Sequence, residues 1–569
     1  MKKKHRNRLI SRLLAMCLAA VMMLSMGITA SAALPDNLQG EFTVSGFDTN
    51  PEPTVTAYQI ITVNIDDDTK EPEYPAYTWA EPVATWMGTN GYSNYIDNVL
   101  GENAVANAFA NGEVQAVAMT KFLEELAAAI KAGTITGLAS KNENVNAEGE
   151  ALFTNMPLGE YLIIATGGVK IYQPTTVKLV PEYKNSAWTV GTAVVGDGKG
   201  GSNVKGAAPA IDKSVSKING TEPADRTVAV GDTVTFKLAA DVPDYPEDTT
   251  KKTFIISDTV GTGLAYQDKS VKVYSDEKCE TPINSTFYKV TETNATVPDQ
   301  SGTPRTFKIE FNENFFESNR DLTKVYVTYD AKVTSAAFTD NTSGMLNNDA
   351  YLGYSNNPYD KDSYTEVKDS EKVYTYAIEL TKVNTNGKTI TSDTATFELK
   401  SGNSVLYFTG SNGVYTYDSS NTQDTLNVTK ALTTSETGTL KIQGLDEGTY
   451  ILTETNAPDG YVLPNGTIVI ELMDNVKDVA DGILDKPKGG YLITSGGAEI
   501  HVAQGDPNAG VTTSGTTISF KVVNKKATEG LFNLPVTGGA GTVIFTMAGI
   551  LLMGGAVALL VVVLRRKRS

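Results

Sequence analysis

From about residue 35 to residue 526 the chain is written largely in short runs with an apolar side chain at every second position. In TVTFKL (233–238) Val234, Phe236 and Leu238 share one face, and in KVYVTYDAKV (324–333) Val325, Val327, Tyr329 and Ala331 do the same. A period of two is that of a half-buried strand. Many such runs, rich in Val, Thr, Tyr and Ile and separated by Gly, Asn and Asp, predict a mostly β chain built of immunoglobulin-like β-sandwiches. One stretch keeps the helical period instead: over 120–132, Phe122, Leu123, Leu126 and Ile130 line a single face.

Breaks in the pattern divide the chain. The segment GDGKGGSNVKG (196–206) holds five glycines and reads as a linker. A second break falls near 371–375, and the alternating pattern stops near Lys526. The expectation is three tandem sandwiches, at 33–195 with a helical insertion, at 207–372 and at 374–526.

The two ends are of another kind. Residues 1–12 are basic, Leu13 to Ile28 is mostly apolar, and Ala30-Ser31-Ala32 is a small-x-small cleavage site. This predicts a secretory signal peptide over 1–32, cut between Ala32 and Ala33. At the other end, over 527–569, Leu534-Pro535-Val536-Thr537-Gly538 precedes an apolar run from Thr542 to Leu564, followed by Arg565, Arg566, Lys567 and Arg568. The run is long enough to be a transmembrane helix, with the basic cluster stopping transfer on the cytoplasmic side.

Charge and composition then exclude several classes. The formal net charge is −18, but the six basic residues of 1–32 and the four at 565–568 mask the middle, where 38 Lys and Arg face 66 Asp and Glu, net −28. Such a surface repels phosphates and speaks against nucleic acid as a partner. Cys17 and Cys279 are the only cysteines, His5 and His501 the only histidines, and Cys17 and His5 lie in the leader. Cys/His metal clusters, Cys-His dyads, Ser-His-Asp triads and an internal disulfide are therefore not expected. No cofactor and no metal is called for.

The informative residues are polar groups that share parity with core positions. Lys382 alternates with Ile378 and Leu380, Glu454 with Tyr450 and Leu452, and Asn524 with Ile518, Phe520 and Val522. The middle segment repeats the set: Lys213 with Ile211 and Val215, Asp258 with Phe254 and Ile256, Asn348 with Ala350, Leu352 and Tyr354. Burying a lone lysine or carboxylate is costly, and a buried pair is often no better than an apolar substitute. One reading leaves each group at a strand end, reaching water. The other is chemical: intramolecular Lys382–Asn524 and Lys213–Asn348 isopeptide bonds. An apolar site disfavours the ammonium, so a neutral lysine can attack the Asn carbonyl. Glu454 or Asp258, itself pushed towards the acid form by burial, moves the protons, and ammonia leaves.

The segment Tyr450-Ile-Leu-Thr-Glu454-Thr-Asn-Ala457-Pro458-Asp-Gly460-Tyr461 resembles the E-box of Gram-positive pilins and collagen-adhesin B-type domains. In that family the Glu promotes the isopeptide bond. Ala210-Ile-Asp-Lys213-Ser-Val and Asn348-Asp-Ala350-Tyr-Leu352-Gly-Tyr354 resemble the middle domain of major pilins, and FTVSGFD, VTAYQII and FTNMPLGEYLI resemble their first domain. The order Leu-Pro-x-Thr-Gly, apolar span, basic tail is similar to a cell-wall sorting signal.

The resemblance implies a secreted, wall-anchored backbone pilin. Its partners would be a sortase, identical subunits in a head-to-tail covalent fibre, peptidoglycan and host surface or matrix ligands. A sortase would cut between Thr537 and Gly538 and pass the Thr carboxyl to a lysine of the next subunit. No Tyr-Pro-Lys acceptor motif follows Trp188, and the acceptor candidates are Lys199, Lys205 and Lys184. The alternative is a monomeric wall-anchored or pilus-tip adhesin. The chain is not expected to be an enzyme, since the isopeptide reaction is a single self-modification; the abundance of Asp and Glu alone leaves a carboxylate glycosidase open.

Overall fold

The computed structural model describes residues 39–527, apart from 111, 113, 185–186, 193–200, 248, 298–303, 340–342, 421–426, 465, 474–492 and 496–510. The signal-peptide site at Ala32 and Ala33, the residues Leu534, Pro535, Thr537 and Gly538, and the predicted membrane span lie outside them. Among the described residues no helix is long and apolar enough to cross a membrane.

The first unit is a sheet covered on both faces. Its strands run in the order Pro72–Trp79, Thr54–Ile65, Gly159–Thr166, Thr175–Lys184, Ala187–Thr192, with Ser140–Glu143 also pairing Thr54–Ile65. Every residue of Gly159–Thr166 is buried. Its two faces meet different cores: Tyr161, Ile163 and Ala165 pack with Phe42 and Phe153 of the three-stranded sheet behind and with Leu179 of their own sheet, whereas Leu162 and Ile164 pack with Phe122 and Leu126 of the helical insertion and with Trp79 at the end of its strand. Alternation is lost in EYLIIAT for that reason, as in any strand buried on both sides.

The helix expected over 120–132 spans Ala116–Lys131, and two shorter helices, Glu81–Thr89 and Asn107–Ala110, accompany it. Phe122 is their hub, with the rings of Trp79, Tyr92, Tyr95 and Phe109 all within 5.8 Å of its own.

The glycine-rich segment departs from expectation. Gly201–Asn203 adds a parallel strand to Gln39–Ser45, Val204 is buried in the first core, and Gly206–Ala207 pairs Ile171–Tyr172. Part of the predicted linker is thus sheet. At Gly206 a side chain would meet Lys170 and Tyr172 at 2.9 Å, so this glycine permits close approach of two strands rather than looseness.

The second unit has two five-stranded sheets. One holds Ile211–Ile218, Thr233–Asp241 and Lys324–Val333; the other holds Phe254–Val260, Met345–Tyr354 and Thr365–Tyr374. The expected alternation is present: Thr233–Asp241 and Lys324–Val333 bury every second residue along most of their length. The third unit packs a seven-stranded sheet on a six-stranded one. Its first strand, Tyr376–Asn384, lies parallel to its last, Thr517–Asn524, with Lys382 opposite Val522.

Only Thr375 separates the strands Thr365–Tyr374 and Tyr376–Asn384. It is fully buried; its amide donates to Gly344 O and its hydroxyl to Leu445 O. Gly344 has φ +80°, and a Cβ there would sit 2.1 Å from Thr375 O. The first and second units are joined by hydrogen bonds from Tyr354 Oη to Val169 O (2.5 Å), Asn356 Nδ2 to Gly168 O (2.7 Å) and Gln173 Nε2 to Asp244 O (3.1 Å).

Replacing Phe122 with Ala empties the centre of the aromatic cluster. It is expected to destabilise the first unit by about 3–5 kcal/mol, read as a lower urea midpoint in the fluorescence of Trp79 and Trp86. The transition of the third unit, followed by protease protection of 376–527, should not move.

Candidate isopeptide sites

Lys382 projects from the first strand of the third unit into the space between its sheets. It is 0% exposed, Asn524 1% and Glu454 6%. Lys382 pairs with Val522 in the parallel register, so Asn524 is the next residue on the same face of the neighbouring strand, within reach of a long side chain. Lys382 Nζ donates to Asn524 Oδ1. Glu454 arrives from the opposite sheet, where it pairs with Phe397. Its carboxylate touches both nitrogens: Oε2 lies 3.0 Å from Lys382 Nζ, and Oε1 accepts from Asn524 Nδ2 at 2.6 Å.

Burial dominates the electrostatics. It lowers the Lys382 pKa from its ordinary 10.5 to about 8, against the opposing pull of Glu454. It raises Glu454 above the usual carboxylate value, against Lys382 and the hydrogen bond from Asn524. Both shifts bring the neutral amine and neutral acid closer to neutral pH.

The second unit assembles the same residue types differently. Asp258 and Asn348 share a sheet, Asp258 opposite Ala350 and Val260 opposite Asn348, so the two polar groups are diagonal neighbours. Lys213 comes from the facing sheet. Its Nζ donates to Asp258 Oδ2 and to the hydroxyl of Tyr329, and lies 4.9 Å from the centre of the Phe236 ring. Asn348 Nδ2 donates to the same hydroxyl at 2.9 Å. Asp258 and Asn348 are 0% exposed, Tyr329 1% and Lys213 4%. Burial raises Asp258 to about 6 and lowers Lys213. The remaining oxygens, Asp258 Oδ1 and Asn348 Oδ1, have no hydrogen-bond partner.

The structure thus brings together both predicted sets, and all six residues are buried. It adds Tyr329, which the alternation in KVYVTYDAKV marks only as a core residue. The available signal was chemical: a phenol among Val325, Val327 and Ala331 needs a partner for its hydroxyl. Of the acceptor candidates, Lys199 lies outside the described residues and Lys184 ends the strand Thr175–Lys184. Lys205 is half-buried after Val204, its carbonyl accepts from Gln173 N at 2.8 Å, and burial lowers its pKa.

Residues 376–482 match the SpaA family of prealbumin-like fold domains, and residues 509–569 match the LPXTG cell wall anchor motif. The second match makes this a cell-wall anchored protein. The structure of the T6 backbone pilin of serotype M6 Streptococcus pyogenes, described as modular and three-domain, overlays with a TM-score of 0.50. The overlay covers 87% of this chain and 99% of that one, at 20% identity. The chain has the fold of a backbone pilin.

The trypsin-resistant surface T6 protein of Streptococcus pyogenes serotype M6 is 25% identical over 283 residues, 47% of this chain and 46% of that protein. The chain therefore spans about half the length of the curated relative it matches. The major pilin SpaD from Corynebacterium diphtheriae overlays more loosely, with a TM-score of 0.42, 18% identity and coverage of 87% and 100%. Within this pilin fold, the prealbumin-like match begins at Tyr376, the first residue of the Lys382 strand.

Replacing Glu454 with Gln removes the charge that holds Lys382 up, so its pKa in the folded chain falls below about 8. The unfolded chain then binds more protons than the folded one from that value up to 10.5, and stability rises with pH in that window. The urea midpoint of the third unit in this variant is expected to increase between pH 7 and pH 9.5. A flat or falling midpoint contradicts the reading that Lys382 stays a free buried amine once the Glu454 carboxylate is gone.

Proposed function

We propose that the chain is a backbone subunit of a sortase-assembled pilus, with Lys382–Asn524 and Lys213–Asn348 joined as isopeptide bonds. The observation that carries the reading is the position of Lys382 Nζ. It is buried against the side-chain amide of the last strand, with one carboxyl group on both nitrogens, in a chain that carries a cell-wall anchor motif.

The reaction follows from that geometry. A proton shared between Lys382 and Glu454 moves to the carboxyl and leaves a neutral amine. The amine attacks Asn524 Cγ while the acid stabilises charge on the amide oxygen and protonates the departing nitrogen. In the second unit Asp258 takes the carboxyl role, and a proton on Asp258 would supply a donor for the unpartnered oxygens there. Glu454 and Asp258 act once; no turnover is proposed, and no cofactor or metal is needed.

The bonds also suit a load-bearing fibre. A pull between Tyr376 and the C-terminal anchor would shear two parallel strands. An amide from Lys382 to Asn524 carries the load directly and leaves 383–523 out of its path; Lys213–Asn348 does the same for 214–347. Such a link does without the disulfide that the single cysteine of the middle region cannot form.

For assembly, a sortase would cleave between Thr537 and Gly538 and transfer the Thr carboxyl to a lysine of the next subunit, giving an open head-to-tail fibre finally joined to peptidoglycan. Among Lys199, Lys205 and Lys184, Lys205 has one property an acyl acceptor needs, an amine whose burial favours the neutral form. The domain limits 33–195, 207–372 and 374–526, the signal peptide over 1–32 and the membrane helix belong to the same proposal. The pairing of Gly201–Asn203 with Gln39–Ser45 and of Gly206–Ala207 with Ile171–Tyr172 supports counting 201–206 with the first domain.

Intact mass of the purified chain is expected to fall short of the sequence mass, after any processing, by two ammonias. Glu454→Ala should restore one and Asp258→Ala the other; a wild-type chain with no loss overturns the isopeptide mechanism. Cell-wall digests should contain a ladder of multimers that survives boiling in detergent, and Lys205→Ala should collapse it. A single-subunit species in the wild type would instead indicate a monomeric wall-anchored adhesin.

A further inference from the structure

The two sites differ in what connects the attacking nitrogen to the leaving one. In the third unit the Glu454 carboxylate spans both, 3.0 Å from Lys382 Nζ and 2.6 Å from Asn524 Nδ2. In the second unit Asp258 Oδ2 meets Lys213 Nζ, and the group that meets both Lys213 Nζ and Asn348 Nδ2 is the hydroxyl of Tyr329. That hydroxyl is held by its ring, which packs against Phe236 at 5.6 Å and Phe307 at 4.8 Å between centroids. Its strand is fixed in a nine-pair antiparallel register with Thr233–Asp241.

Amide formation from a neutral amine and a carboxamide requires one proton to pass from the attacking nitrogen to the departing one. The two nitrogens are bonded to the same carbon at that moment, and direct transfer would need a strained four-membered ring. A hydroxyl in contact with both provides a longer, less strained path.

We propose that Tyr329 is a catalytic residue of the second site, relaying a proton from Lys213 Nζ to Asn348 Nδ2. This rests on the isopeptide reading of that site. Lys213 first gives its ammonium proton to Asp258. The Nζ–Cγ bond then forms; one Nζ proton goes to the phenol oxygen and the phenol proton goes to Nδ2. The Cγ–Nδ2 bond breaks and ammonia leaves, carrying its two amide hydrogens and the relayed one. Tyr329 is returned unchanged, and no oxidant or reductant is involved.

In the resting amide Nδ2 donates to the phenol; once the carbon is tetrahedral the same nitrogen is a basic amine and the hydrogen bond reverses. Burial and the neighbouring Asp258 hold the phenol well above its ordinary pKa, so it stays protonated and able to donate. Asp258 is left to keep its proton for the carbonyl oxygen. The division explains why one carboxyl group suffices in the third unit and a carboxyl plus a phenol serve in the second.

The test is the full chain carrying Tyr329→Phe, which keeps the ring and removes the hydroxyl. Phe236→Leu is the control, since it disturbs the packing around Lys213 and keeps the hydroxyl. Intact mass and peptide mapping are followed with time after synthesis. The wild type is expected to lack two ammonias at the first time point. Tyr329→Phe is expected to lack one, mapped to Lys382 and Asn524, with the Lys213–Asn348 link appearing more slowly by on the order of 100-fold or more. Phe236→Leu should still form both.

If Tyr329→Phe forms both links as fast as the wild type, the relay is wrong while the isopeptide reading stands. If Phe236→Leu delays the second link as much as Tyr329→Phe, packing rather than the hydroxyl is responsible and the relay is again overturned. If the wild type loses no ammonia, the isopeptide reading itself fails and takes the relay with it.

Discussion

A lysine amine held inside an apolar sandwich is the constraint on which both sites turn. Water strongly favours the ammonium form; the interior between two sheets does not. Lys382 and Lys213 are each kept there by one carboxyl group, and the same burial that weakens the ammonium pushes the carboxyl towards its acid form. Removing one partner from such a pair typically costs about 3–5 kcal/mol because the other charge is left uncompensated. The arrangement is therefore poor as a stabilising ion pair and well suited as a reactive one. Its neutral state is an amine beside an amide with an acid at hand.

The two sandwiches reach that state by different routes. In the third unit the lysine and the asparagine sit on adjacent parallel strands, and the carboxyl group descends from the facing sheet. In the second, the carboxyl group and the asparagine share a sheet and the lysine faces them. Moving the carboxyl onto the Asn side leaves the gap between the nitrogens open to the opposite sheet, and Tyr329 fills it. Similar residue types thus do not fix the geometry; the sheet that carries each of them does.

The joints between units follow the same economy of loose chain. Thr375 is a buried, hydrogen-bonded junction, and Gly344 is a glycine because its positive φ and the nearby Thr375 carbonyl leave no room for a side chain. The contacts of Tyr354, Asn356 and Gln173 tie the first unit to the second. The helical insertion adds to this joint, Glu124 accepting from Glu247 N at 2.9 Å. For a filament subunit, slack at a joint would be taken up under load before any covalent link engaged, so short, bonded joints would serve the same end as the proposed cross-links.

Much of this was legible in the residues alone. Side-chain parity is a local property of an extended backbone, so the alternation around Lys213, Asp258, Asn348, Lys382, Glu454 and Asn524 placed all six at core positions. The anchor motif is likewise a contiguous string of residues. Partner and distance are not local. Three outcomes needed the fold: the burial of Gly159–Thr166 on both faces, the recruitment of 201–207 into sheets despite its glycines, and the placing of the Tyr329 hydroxyl between two nitrogens. Each depends on which distant strand lies alongside or across, and a period of two in one strand carries no information about that.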